Sequence, residues 1–216
     1  MLNQRQLATM FELQDGMNTK VNPNWIEAAY PFLRAAALEG AEAIEHHGWK
    51  WWKKQEIDLP QLQMELVDIW HFALSHQLLE TNNDKAQAAA DFIADSEALV
   101  LKFDGKDYVL AELDLLQKLE LMIGLATARR FSVPLFAVAL TDCQMTWDDL
   151  YKQYVGKNVL NFFRQDHGYK DGTYIKVWNG KEDNEHLSTI LDSLDVEAEG
   201  VADTLYKELK AIYDTL

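Results

Sequence analysis

The sequence predicts an all-α protein, and three observations carry that expectation. Apolar residues recur at helical intervals in nearly every segment. The 216 residues include only four prolines and ten glycines. There is no low-complexity tract and no repeat at solenoid period. A chain of this length can bury one substantial core, so a single domain over 1–216 is expected, with a smaller, mobile helical lobe within about 85–145.

The elements follow in order. A first helix is expected over about Asn3–Gln14, with Leu7, Met10, Phe11 and Gln14 along one side, ending at Asp15-Gly16 or running on to Asn18. Asn22-Pro23 resembles an N-cap followed by proline at the first helical position. It would open a long segment to His47, bent at Pro31 and closed by Gly48. After the run Trp49–Lys54, Pro60 opens a helix to about Glu80, and Asn82-Asn83-Asp84 forms a turn. Further helices are expected near 85–98, 109–130 and 132–142. Thr146 with Asp149 caps a helix to about Gln165. The interval 166–183 holds Gly168, Gly172 and Gly180, and reads as an ordered glycine-rich loop with a short hairpin. A last helix should cover about Val196–Leu216.

Charge narrows the function classes. Asp and Glu number 35 against 20 Lys and Arg, a net charge of −15, which argues against general duplex binding and against an anionic membrane surface. The single cysteine, Cys143, excludes an intramolecular disulfide and a cysteine-based zinc site. The N-terminus lacks a signal-peptide pattern and no apolar run reaches spanning length, so a soluble cytoplasmic protein is expected.

Two pairs of acids stand out against that background: Glu39 with Glu42, and Glu65 with Asp68, each at i,i+3 and so on one helical face. The first face also carries Phe32, Ala35, Ala36 and Ala43, the second Leu62, Ile69 and Phe72. Most such pairs are solvated. Here four acids point toward apolar neighbours with no Lys or Arg one turn away on the same stripe. Carboxylates are rarely buried unless paired or bound to a cation, so a cluster of two or more hard cations between two helix pairs is expected. Oxygen ligands select Mg²⁺, with Mn²⁺ as a substitute, over zinc, and serve phosphate chemistry. A carboxylate–iron site would require Glu-x-x-His pairs, which these are not.

A second stripe supplies the opposite charge. Lys157, Asn161 and Arg164 lie at i, i+4 and i+7, and Lys170 and Lys176 follow in the glycine-rich loop. A basic stripe is ordinarily a solvated face, but inside so acidic a chain it reads better as a polyphosphate clamp. Trp49-Lys50-Trp51-Trp52-Lys53-Lys54 would offer indole surface to a base or sugar and ammonium groups to phosphates, or would simply cover the end of the helix pair. Gln14 and Asn18, at i,i+4, read alone as a polar helix end, yet their amides can match the edge of uracil or thymine.

The order Gln-Asp-x-x-Asn at 14–18, Glu-x-x-Glu at 39–42, Trp-Lys-Trp-Trp-Lys at 49–53 and Glu-Leu-Val-Asp-Ile-x-His-Phe at 65–72 resembles the dimeric dUTPase and dCTPase family of the all-α nucleoside triphosphate pyrophosphatases. The block from Asn161 to Trp178, followed by Gly-x-Glu-Asp-Asn at 180–184, is similar to that family's phosphate-binding segment. The resemblance implies a homodimeric enzyme that splits dUTP, and dUDP as well, using Mg²⁺ held by Glu39, Glu42, Glu65 and Asp68. It gives Glu42, with Glu39 beside it, the catalytic part of orienting water. It assigns Lys53, Lys157, Asn161, Arg164, Lys170 and Lys176 to the phosphates. Gln14, Asn18 and a tryptophan, Trp49 or Trp52, would read base and sugar, with Phe72 stacking on the base. The same chemistry on dCTP or a broader pyrimidine pool is the alternative within enzymes. A catalytically silent nucleotide-binding regulator is the alternative outside them.

Overall fold

The computed structural model describes residues 2–95, 98–196, 198 and 200–216. Among them are ten α-helices and two small hairpins, the all-α architecture expected. Residues 96 and 97, part of the expected 85–98 helix, and 197 and 199, part of the expected 196–216 helix, lie outside the described residues.

Helix α1 spans Gln4–Val21, capped by the Asn3 side chain, which accepts from the Arg5 and Gln6 backbone N–H groups at 2.9 and 3.3 Å. It runs through Gly16 rather than stopping there, so Gln14 and Asn18 share one buried helical face. The expected long helix to His47 is instead divided. A single turn, α2 (Trp25–Ala28), ends at Ala29 in the left-handed region, and α3 (Phe32–His47) starts after Pro31. Proline disfavours a helical residue before it and has no N–H to give, so the chain breaks where a bend was expected. Gly48, at φ 85°, closes α3.

Helix α4 (Leu59–Glu80) is capped by Asp58, with Pro60 in its first turn. Asn82 and Asn83 adopt positive φ in the following turn. Helix α5 covers Lys85–Asp95. An unanticipated hairpin comes next: β1 (Val100–Phe103) pairs antiparallel with β2 (Lys106–Val109) through Asp104-Gly105, both at positive φ. Asp-Gly is the turn such a two-residue connection favours. A 3₁₀ turn at Leu110–Glu112 leads to α6 (Leu115–Thr127), which starts later than expected because Asp114 and Gln117 form a capping box. Then come α7 (Val133–Asp142) and α8 (Trp147–Asp166), the latter opened by the Thr146–Asp149 box. The short pair β3 (Val177–Trp178) and β4 (Lys181–Glu182) lies within the glycine-rich loop, and leads into α9 (Asp183–Leu191) and α10 (Val201–Tyr213).

Helices α3 and α4 pack lengthwise, α6 covers the other side of α3, and α1 lies against α4 and α8. Trp70 of α4 is fully buried, stacked on Phe136 at 4.9 Å and ringed by Phe92, Phe131 and Trp147. A second cluster, built from Leu160, Phe163, Trp178, Leu187, Leu191, Leu205 and Leu209, holds the loop and the last two helices on α8. It fixes the C-terminal segment beside the mouth of the α3–α4 pair. No helix among the described residues is long and apolar enough to cross a membrane.

Candidate active site

The i,i+3 spacing on two adjacent helices converges as geometry. One carboxylate oxygen from each of Glu39, Glu42 and Glu65 lies within 4.8 Å of the others. Burial is graded: Glu65 is buried, Glu39 half-buried and Glu42 exposed. Burial, reinforced by the charges of Asp68, Glu65 and Glu42, pushes Glu39 from 4.5 to about 8. Burial and the Asp68 charge push Glu65 to about 7. His46 Nε2 stands 3.4 Å from Glu65 Oε1. Asp68 faces a different partner, since Lys157 Nζ donates to its Oδ2 at 2.9 Å and to Asn184 Oδ1 at 3.2 Å.

These acids line a cavity of about 620 Å³ together with Lys157, Asn161, Arg164, Lys176, Glu182 and Asn184, and Lys176 pairs with Glu182 at 3.0 Å. The Lys157 side chain is only 4% exposed, so its ammonium is held in the cavity wall rather than waving in solvent. Arg164 is clamped from behind: Nε and Nη2 each donate to the fully buried Asp183 at 2.8 Å, and Nη1 donates to Asn161 Oδ1 at 3.2 Å. The Tyr174 hydroxyl donates to the same Asp183 at 2.7 Å. Burial alone would raise Asp183, but the guanidinium and this hydroxyl hold it below the usual carboxylate range.

A smaller, largely apolar chamber of about 240 Å³ adjoins the cavity and shares Met17, Asp68, Phe72 and Asn161 with it. Gln14, Asn18, His71 and Ser75 supply its polar groups, and Trp25, Tyr30 and Phe32 its aromatic wall. Gln14 Nε2 donates to Asn18 Oδ1 at 3.1 Å, and Asn18 Nδ2 donates to Ser75 Oγ at 3.1 Å.

Of the residues singled out in the sequence, Glu39, Glu42, Glu65, Asp68, Lys157, Asn161, Arg164, Lys176, Gln14, Asn18 and Phe72 line these two adjoining spaces. Trp49, Trp52, Lys53 and Lys170 line neither. Trp49 Nε1 donates to Glu45 at 2.7 Å, and Trp52 is 59% exposed in an edge-to-face cluster with Trp49 and Trp51. Lys53 is exposed, and Lys170 donates to the Val21 carbonyl at 3.1 Å. Sequence reasoning passed over Tyr154 and Ser75, and gave no separate role to Asp183 and Asn184, which it quoted only within the 180–184 block. Tyr154 sits one turn before Lys157 on the same stripe, and Ser75 one turn after His71, so helical spacing carried a signal for both.

The donor set at the acid cluster is all oxygen, and its raised protonation follows from burial and from like charges held close together. A hard divalent ion fits that chemistry. A family model described as dUTPase matches residues 6–169, a span that includes both acidic pairs, the tryptophan loop and the α8 stripe. No curated protein matches the chain significantly. With that match covering most of its length, the chain belongs to the dUTPase family, generally metal-dependent enzymes that hydrolyse dUTP.

Proposed function

We propose that the protein cleaves dUTP to dUMP and pyrophosphate in a Mg²⁺-dependent reaction, and accepts dUDP as well, acting as a homodimer in the cytoplasm to keep uracil out of DNA and to supply dUMP. One observation carries this reading. Acids from α3 and α4 and basic side chains from α8 and the glycine-rich loop line one cavity, which adjoins a chamber with an amide pair.

Glu39, Glu42, Glu65 and Asp68 would hold Mg²⁺, or Mn²⁺ in its place, whose charge offsets that of the phosphates and makes bound water more acidic. Glu42, the exposed member of the cluster, is free to orient the attacking water and take its proton. Lys157, held by Asp68 and Asn184, and Arg164, held by Asp183, meet the phosphates already fixed, so little side-chain freedom is lost on binding. Phe72 packs against the base, while Gln14 and Asn18 contact its polar edge. Lys53, Lys170, Trp49 and Trp52 would then act from outside the two chambers, at the rim or on closure over the nucleotide.

The deciding measurement is a pyrophosphate-release screen against every deoxynucleoside triphosphate, with and without Mg²⁺. Release from dUTP alone, dependent on Mg²⁺, is expected. Saturable nucleotide binding with no release under any condition would identify a silent regulator instead. Glu42→Gln should lower kcat by about a hundredfold or more with the fold intact. Full activity in that variant would remove Glu42 from the role given to it.

A further inference from the structure

Gln14 is the residue whose polarity decides what base edge the chamber accepts, because an amide offers an acceptor on one side and two donors on the other. Its orientation is set from behind. Gln14 Oε1 lies 2.8 Å from the Tyr154 hydroxyl and 2.8 Å from His71 Nδ1. Since Oε1 carries no hydrogen, both neighbours donate to it. We propose that Tyr154 and His71 are positioning residues that hold the Gln14 amide with its nitrogen toward the chamber, and that this orientation selects uracil over cytosine.

Three features make the arrangement a lock. The His71 ring stacks on Tyr154 with centroids 4.2 Å apart, so the two donors fix each other's place. Burial drives His71 down to about 3, which keeps the imidazole neutral. Donation from Nδ1 then leaves a lone pair on Nε2, and that atom is buried without a hydrogen-bond partner while His71 lines the chamber. Reversing the Gln14 amide would set an N–H against Nδ1–H unless the imidazole changed tautomer too. That change would turn Nε2 from an acceptor into a donor, so the amide can reverse only together with the imidazole. The Tyr154 hydroxyl has a single hydrogen and two acceptors, Gln14 Oε1 at 2.8 Å and the Met10 carbonyl at 3.0 Å, and shares it between them.

On the chamber side, Gln14 Nε2 gives one hydrogen to Asn18 Oδ1 and has a second to offer. Asn18 is restrained by Ser75, whose hydroxyl is anchored on the His71 carbonyl at 3.0 Å. Uracil presents a carbonyl acceptor beside an N–H donor. A Gln14 N–H suits the first. Cytosine presents an amino donor and a ring-nitrogen acceptor, and so meets donor with donor. A buried site that rejects a ligand by leaving polar groups unpaired discriminates far more strongly than one that relies on shape.

This inference rests on the dUTP reading, and its test separates the two. The ratio of kcat/KM for dUTP to that for dCTP is measured in the wild type and in Tyr154→Phe, His71→Leu and His71→Asn. Calorimetric binding of dUMP and dCMP provides a readout independent of turnover. Tyr154→Phe keeps the ring and removes only the donor, and should lower the uracil-to-cytosine ratio about tenfold in both assays, the loss expected for one hydrogen bond. His71→Leu should lower it further, and His71→Asn, which keeps a donor near the Nδ1 position, should recover part of it. If both nucleotides lose equally and the ratio stands unchanged in Tyr154→Phe and His71→Leu, the two residues are merely structural and the lock is overturned. A wild type that takes dCTP as readily as dUTP overturns the uracil reading and the lock together.

Discussion

Exchange of protons for metal at the acid cluster should be directly measurable. Without a divalent cation, Glu39 sits at about 8 and Glu65 at about 7, both raised from 4.5. The carboxylates interact, so the protons belong to the cluster as a whole. At pH 6 about two protons must leave before Mg²⁺ can bind; at pH 9 almost none remain. A group two units above the ambient pH lowers apparent metal affinity about a hundredfold and one a single unit above about tenfold, so affinity should rise about a thousandfold from pH 6 to pH 9. The sign for stability follows from the same shifts. Folded-state values above the unfolded ones mean that the metal-free fold binds more protons than the unfolded chain between about pH 4.5 and 8. In chelator, stability due to these groups is therefore fully present below about pH 4.5 and is lost as pH rises through 8; saturating Mg²⁺ should restore it at high pH. Calorimetric Mg²⁺ titrations in buffers of different ionisation enthalpy count the protons released. Affinity that stays flat from pH 6 to 9, with no proton released at pH 6, would refute the cluster as the metal site.

Three further outcomes are expected. Lys157→Met leaves Asp68 without its cation, and should cost about 2–3 kcal/mol in chelator, less than a fully buried pair because Asp68 is 21% exposed, with Mg²⁺ recovering part of the loss; thermal melts with and without Mg²⁺ check it. Asp183→Asn breaks the clamp behind Arg164 and should lower Tm by roughly 10 °C near pH 7. Because the Asp183 carboxyl is depressed in the fold, the wild type holds that stability above the unfolded value of 3.8 and loses it as pH falls through the folded one, so the gap between the two proteins should narrow in acid. Gly156→Ala would drive a Cβ into Leu191 Cδ1, where α8 and α9 meet, and should cost about 1–3 kcal/mol; denaturant titration would show whether Leu191→Ala in the same chain relieves it.

Most of the helices, several of their caps and the chemistry available were legible along the chain, because those signals are local. Pro60, Gly48 and the Thr146–Asp149 box mark element ends through bonds within a few residues, and i,i+3 acids share a face on any helix. Two local signals were there to be read and were not: Asp104-Gly105 for the β1–β2 hairpin, and Glu182 with Glu185 for the start of α9. The division of the 22–47 segment at Ala29 follows from Pro31, yet whether proline bends or breaks a helix depends on what the flanking turns pack against. Which charges meet is a matter of how the helices pack. Lys157 reaches Asp68 across 89 positions of sequence, and Tyr154 reaches Gln14 across 140. The packing of α8 against α1 and α4 brings these groups together, and no periodicity along one helix encodes which neighbour lies across from it. The same packing left the tryptophan loop outside both chambers and turned Gln14 from a polar helix end into an amide held in one orientation from behind.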